Sequence, residues 1–326
     1  MPGTHTSSTQ PPQPPLPYIG RFAPSPSGPL HFGSLVCALA SFLDARARCG
    51  TWLVRIEDID PPREPKGARE AILQCLEAHG LHWDGELWLQ SGRHEAYRAL
   101  LAWLEKAELV YRCNCTRRRL QSLAGTYDGY CRNHPPPPGQ AAALRLKVAD
   151  LPATYGSVGS HIAFSDDIQG RQEEDLRQTC GDFVIHRKDG LFAYQLAVVA
   201  DDIAQQITHV VRGSDLLDTT ARQIFLFKLL GQTPPRYSHI PVLVDQQGQK
   251  LSKQNHATPV GNASAGDNLW RACRCLGLLP PAALRRAEPS ELLAWAGAHW
   301  RLDRVPQQMT MPATACEPAI AKQPDA

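Results

Sequence analysis

A chain of 326 residues, 43% hydrophobic and 20% charged, has the composition of an ordinary globular protein and the length for one large or two modest domains. Its 34 Lys and Arg against 32 Asp and Glu leave a net charge of only +2, which excludes a globally basic nucleic-acid binder, so any RNA contact must come from a local patch. No apolar run approaches the ~20 residues that span a bilayer. Residues 1–17 lack the basic and apolar regions of a signal peptide, so the ten cysteines are expected as reduced thiols or metal ligands in a cytoplasmic chain, not as a disulfide framework.

Residues 1–17 are rich in Pro, Ser, Thr and Gln and predict a disordered tail, as does 307–326. Between them, residues 18–22 signal a strand, 35–40 an apolar helix and 51–56 a second strand, with helical periodicity over 66–79 and 93–109. That alternation predicts an α/β domain with a parallel sheet, its first half at 18–110. Residues 111–185 read as an insertion: clustered Cys and Arg over 111–134, a stiff proline run at 135–138, then short strands and turns. The α/β pattern resumes over 186–260 with apolar runs at 194–200 and 207–211 and a helix at 219–230. Residues 261–306 form a short helical part carrying Leu269, Leu276, Leu292, Leu293 and Trp295.

Two segments suggest phosphate chemistry. In residues 21–34 a strand runs into a Pro, Ser and Gly loop, and a helix begins near Gly33. Helix N-termini present unpaired N–H groups and partial positive charge to anions, and His31 can donate to a phosphate oxygen. The bland reading is a Pro-rich turn capped by Ser34. Later, Lys250-Leu251-Ser252-Lys253 places two lysines where they could neutralise a leaving pyrophosphate, although a lone K-x-x-K is usually a solvated surface.

Taken together and in this order, His31-Phe32-Gly33-Ser34 and Lys250-Leu251-Ser252-Lys253-Gln254 resemble the HIGH and KMSKS signatures of class I aminoacyl-tRNA synthetases. The pattern departs at Ser34, in place of the second histidine, and at Gln254, in place of the terminal serine. RFAPSPSGPLHFGSL, LVRIEDIDPPR at 53–63, and the blocks at 193–202 and 207–213 resemble the glutamyl branch, over about residues 18–260. The resemblance implies a Rossmann-type catalytic domain. It also implies ATP binding by His31, Gly33, Ser34, Lys250 and Lys253, with His31 and Lys253 catalytic, and a glutamate pocket of Arg21, Phe22, Ala23, Pro24, Ser25, Glu57, Tyr194 and Arg212. The chemistry agrees: a guanidinium suits a substrate carboxylate and a carboxylate suits an α-ammonium. Residues alone would also allow a surface ion-pair network for Arg55, Glu57, Asp58 and Asp60, and a core role for Tyr194.

Cys113, Cys115 and Cys131, with Tyr127 between them, offer three thiolates suited to zinc. The same arrangement, tyrosine included, occurs in short relatives of the glutamyl synthetases, which implies Tyr127 as fourth ligand of a structural Zn²⁺; Tyr130 and His134 are rivals. Arg112, Arg117, Arg118, Arg119 and Arg132 make the best local basic patch, and Cys273 and Cys275 read as helix positions.

About fifty ordered residues are expected after the lysine loop, too few for a helical anticodon-binding domain. That length, and the wording PSPSGPLHFGSL, IEDIDPPR and Arg212-Gly213-Ser214-Asp215, resemble the short glutamyl-Q tRNA(Asp) synthetase family. The resemblance implies a monomer that uses ATP with Mg²⁺ to activate L-glutamate and transfers it to the queuosine base of tRNA(Asp). Rival readings are a truncated synthetase charging tRNA(Glu), an RNA-independent nucleotidyltransferase, and a non-catalytic zinc-bearing RNA-binding module.

Overall fold

The computed structural model describes residues 17–251 and 258–316. The chain opens with β1 (Ile19–Phe22), α1 (Phe32–Ala47), β2 (Thr51–Ile56), α2 (Ala68–Ala78), β3 (Trp88–Leu89) and α3 (His94–Lys106). A second stretch holds β4 (Val110–Cys113), α4 (Arg117–Gln121), α5 (Tyr130–Asn133), β5 (Ala143–Leu146), β6 (His161–Asp166), β7 (Gly170–Asp175), α6 (Leu176–Thr179) and β8 (Phe183–His186). It continues through α7 (Tyr194–Ala204), β9 (His209–Gly213), α8 (Leu217–Leu229), β10 (Arg236–Ile240) and β11 (Val242–Val244) to α9 (Ala265–Cys275), α10 (Pro289–His299) and β12 (Thr310–Pro312).

Among the described residues the main sheet has the order β3-β2-β1-β9-β10-β6-β7, parallel throughout except for the β6–β7 hairpin. Successive strand residues point to opposite faces. Trp52, Phe22, Val211 and Ile240 pack with α1, α9 and α10, while Leu53, Ile19, Val210 and Tyr237 pack with α3, α7 and α8. The expected α/β architecture is therefore a sheet with helices on both faces.

Within the segment 111–185, read as an insertion in the α/β domain, β4, β5 and β8 form a separate antiparallel sheet, while β6 and β7 extend the main sheet through β10. Strand edges left unpaired are costly, and the β6–β7 hairpin covers that of β10. Two expectations need correction. The tail predicted from 307 is ordered as far as Cys316, because β12 pairs in parallel with β11; residues 1–16 and 317–326 lie outside the described residues. Finally, Cys275 and Cys316 form a disulfide that ties this segment to α9. Cys273 and Cys275 do occupy the helix positions expected. No helix among the described residues is long and apolar enough to cross a membrane.

Candidate active site

Strands β1, β2, β9 and β10 run parallel, so their carboxyl ends share one edge of the sheet. From β1 the chain crosses through α1 to β2 on one side, whereas β9 lies on the other. Where connections diverge in this way, a crevice opens at the carboxyl ends. Here it is a cavity of about 730 Å³, lined by residues 21–25 after β1, by His31, Gly33 and Ser34 at the start of α1, and by Glu57, Tyr194, Arg212 and Lys250. Twelve residues that sequence reasoning scattered over more than 200 positions thus converge, while Lys253 lies outside the described residues.

The N-terminus of α1 faces this cavity. His31, not Ser34, is the capping side chain: its Nδ1 accepts from the Ser34 N–H at 3.2 Å, and its Nε2 lies 3.0 Å from Ser34 Oγ. An imidazole that accepts at Nδ1 carries its proton on Nε2. Lys250 is ion-paired to Asp215 across the mouth of the cavity.

Under the cavity sits a buried ion network, not the surface network that the residues alone allowed. Arg21 donates to both oxygens of Asp202, at 3.1 and 3.3 Å. Fully buried Arg55 donates to Asp202 at 2.6 Å and to Gln205 at 2.6 Å. Neighbouring Asp201 accepts from Gln90, Arg93 and Tyr97. The guanidinium groups hold the Asp202 carboxyl below the usual carboxylate range despite its burial. Glu57 differs. It is 6% exposed, its Oε1 makes no hydrogen bond, and burial outweighs the nearby arginines to push it up to about 7. A buried carboxylate oxygen without a donor, at the wall of a cavity, is an acceptor prepared for a ligand.

Asp202 and Asp201 were missed as site residues, as were Asp166 and His239 behind Arg212. Two adjacent carboxylates in the apolar helix α7 were the available signal, since buried charge has to be paired. Asp58 accepts from Ser91, and Asp60 pairs with Arg63 and Arg187. Asp60, Arg63, Glu64, Ile59 and Phe192 line a second cavity of about 590 Å³ that shares Ser25, Ser27, Glu57, Arg63 and Tyr194 with the first.

At the cysteine cluster the three Sγ atoms lie within 4.8 Å of one another, with Cys115 and Cys131 3.5 Å apart. The Tyr127 hydroxyl lies 3.5 Å from Cys113 Sγ and 3.6 Å from Cys115 Sγ. Ligands ~2.0–2.3 Å from a tetrahedral zinc stand roughly 3.5–3.8 Å apart, so this donor set fits the ion. Of the rivals, Tyr130 is 47% exposed and His134 is stacked on it, bonded to its carbonyl. Gly181 supports the cluster: with φ +63 it brings its Cα so near the Tyr127 backbone that any Cβ would collide with it. In the arginine patch, Arg119 and Arg132 are paired with Asp128, Asp150 and Asp182, Arg112 is bonded to backbone carbonyls, and Arg117 and Arg118 are exposed.

The family model for tRNA synthetases class I (E and Q), catalytic domain, matches residues 19–269, which include the cavity and the cluster. The chain belongs to this family. It is 51% identical over 296 residues to the glutamyl-Q tRNA(Asp) synthetase of Ectopseudomonas mendocina, covering 90% of this chain and 97% of that one. The protein of the same name from Pseudomonas aeruginosa is 50% identical over 298 residues, again covering 90% and 97%. In fold the chain is similar to the glutamate-tRNA synthetase of Elizabethkingia anophelis, with a TM-score of 0.73 at 23% identity, covering 92% of this chain and 69% of that one.

Proposed function

We propose that the chain activates L-glutamate with ATP to glutamyl-adenylate and transfers the glutamyl group to the cyclopentenediol of the queuosine base in the anticodon of tRNA(Asp). One observation carries the reading: buried Glu57 with an oxygen that makes no hydrogen bond, the Arg21 guanidinium, the Tyr194 hydroxyl and the N-terminus of α1 line one cavity. Identity of about half, over 90% of the chain, to proteins named for that reaction supports the acceptor.

Glu57 accepts from the α-ammonium of glutamate, and Arg21 and Tyr194 donate to its side-chain carboxylate; residues 22–25 form the wall against which it lies. An oxygen of the α-carboxylate attacks the α-phosphorus of ATP, the new P–O bond forms, and the bond to the bridging oxygen breaks as pyrophosphate leaves. The N-terminus of α1 at His31, Gly33 and Ser34, with Lys250 and Lys253, stabilises the phosphate charge. Mg²⁺ enters with ATP as part of the substrate. In the second step a diol oxygen attacks the carbonyl carbon of the adenylate, its C–O bond to phosphate breaks, and AMP departs while the hydroxyl proton is released. The adjoining 590 Å³ cavity, which shares Ser25, Glu57 and Tyr194 with the first, is the space this reading gives to the acceptor base.

Cys113, Cys115, Cys131 and Tyr127 would hold a structural zinc that ties β4 to α5 and supplies no open position for substrate.

Labelled glutamate and ATP, offered with queuosine-containing tRNA(Asp), queuosine-free tRNA(Asp) or tRNA(Glu), test the reading. Only the first is expected to take label. Label on tRNA(Glu) alone would sink the acceptor assignment, and absence of glutamate-dependent pyrophosphate exchange would sink activation itself.

A further inference from the structure

The 590 Å³ cavity lies between the turn that follows β2 and the connection from β8 to α7. Ile59, Asp60 and Glu64 line it from the first wall, Arg187 and Phe192 from the second. An ion pair joins the walls: a terminal nitrogen of Arg187 donates to Asp60 Oδ2 at 3.4 Å. The same oxygen accepts from Arg63, whose Nε lies at 2.6 Å, and among the described residues nothing donates to Oδ1. Ile59 and Phe192 add apolar surface, and Phe192 is fixed edge-on against Tyr97 and His186, with ring centres 5.2 and 5.3 Å away.

Three carboxylates line this cavity, and they are not equally available. Glu57 also lines the first cavity, where it is assigned to the α-ammonium of the amino acid. Glu64 serves its own turn, its Oε1 accepting from the Asp60 N–H at 2.9 Å. Asp60 remains. Its side chain is only 20% accessible, whereas those of Arg63 and Arg187 are 70% and 41% accessible. Pairs made to such exposed arginines hold weakly. Arg187 also keeps a second carboxylate, since it donates to Asp189 at 3.1 and 2.5 Å, so releasing Asp60 does not leave it without a partner. A half-buried carboxylate with weakly held partners, between two apolar side chains, fits a flat ring system that carries one cationic nitrogen. The acceptor of the proposed reaction has that chemistry: its diol ring is joined to the base by a secondary amine, and an alkyl amine is protonated at neutral pH.

We propose that Asp60 binds the ammonium of the acceptor base, taking it in place of Arg187 and so opening the bridge between the two walls, while Ile59 and Phe192 flank the rings. This rests on transfer to the queuosine base at this cavity.

The test measures two steps separately: KM for queuosine-containing tRNA(Asp) in transfer of labelled glutamate, and glutamate-dependent pyrophosphate exchange without tRNA. Loss of a hydrogen bond between charged groups corresponds to about tenfold or more, so Asp60→Asn is expected to raise the tRNA KM by that much while exchange stays within about twofold. Arg187→Gln breaks the same ion pair from the other side, and is expected to raise the tRNA KM by less than about threefold, because the acceptor displaces that arginine. The free queuine base and an analogue with a methylene in place of the amine nitrogen, used as inhibitors of transfer, read the charge directly. Wild type is expected to prefer the amine by about tenfold, and Asp60→Asn to bind both alike. If Asp60→Asn does not fold, that preference in wild type decides alone. Equal rises in tRNA KM for the two variants, loss of exchange in parallel with transfer, or no preference of wild type for the amine overturns the proposal. Normal transfer by wild type with an unchanged Asp60→Asn overturns it alone, whereas wild type that exchanges pyrophosphate but never labels queuosine-containing tRNA(Asp) overturns the acceptor reading as well.

Discussion

Glu57 Oε1 stands 3.6 Å from the nearest terminal nitrogen of Arg55, close enough for attraction and too far for a hydrogen bond, because Asp202 holds that guanidinium at 2.6 Å from below. The arginine charge in the cavity floor therefore belongs mainly to Asp202. Glu57 is left with desolvation as its dominant influence, and its carboxyl sits near 7.

A pH dependence follows from that value. Only the ionised carboxylate accepts well from an ammonium, so kcat/KM for glutamate in pyrophosphate exchange is expected to fall below about pH 7, as the free enzyme takes up a proton at Glu57. A profile that stays flat from about pH 6 to 8 would contradict this.

The same shift bears on stability. Burial raises the folded pKa from 4.5 to about 7, so across that window the folded protein holds a proton that the unfolded chain has released. The cost of ionising Glu57 is absent below pH 4.5, grows through the window and is complete above about 7. Glu57→Gln is thus expected to stabilise the fold by about 1–3 kcal/mol at pH 8, with little effect at pH 4.5, while abolishing glutamate-dependent exchange. Thermal melts at the two pH values measure the difference; equal melting shifts at both would count against it.

Lys250 and Asp215 are substantially exposed, with side chains 44% and 34% accessible. Exposed ion pairs contribute about 0–1 kcal/mol. Lys250→Ala should leave the melting temperature nearly unchanged, yet slow pyrophosphate exchange by about tenfold or more if the lysine meets the leaving phosphates. A variant with wild-type exchange kinetics would remove Lys250 from the site.

At the cysteine cluster, zinc content and melting temperature should move together. Purified protein is expected to carry one equivalent, Cys131→Ser to lose the metal and to melt earlier, and Tyr127→Phe to bind it less tightly, since three sulfurs remain. Full-strength zinc binding by Tyr127→Phe in a chelator titration would remove the phenol from the ligand set.

The disulfide Cys275–Cys316 closes a loop with a sequence separation of 41 and holds the segment that carries β12 against β11, just before Lys250. By loop-closure entropy such a bond is worth about 4 kcal/mol at most. Melting of the oxidised protein should fall on addition of dithiothreitol, and Cys316→Ser should melt like the reduced form in both conditions. Identical melts for all three samples would exclude a structural contribution.

The parallel sheet and most of the cavity wall were legible in the sequence, because they rest on local signals: a strand signal in 51–56, a helix start after a Pro, Ser and Gly loop, and long motifs that resemble those of a family. Those motifs end at the carboxyl edges of β1, β2 and β9, where their residues line one cavity. What surrounds them was decided only by tertiary structure. That Arg212 meets His239, Gln223, Thr220 and Leu216, that Asp202 sits under both Arg21 and Arg55, and that residues 307–316 pair with β11 all depend on contacts between positions far apart in the chain. A side chain's type sets which partner it needs; the fold alone decides which partner it meets, and burial then makes that choice expensive to undo.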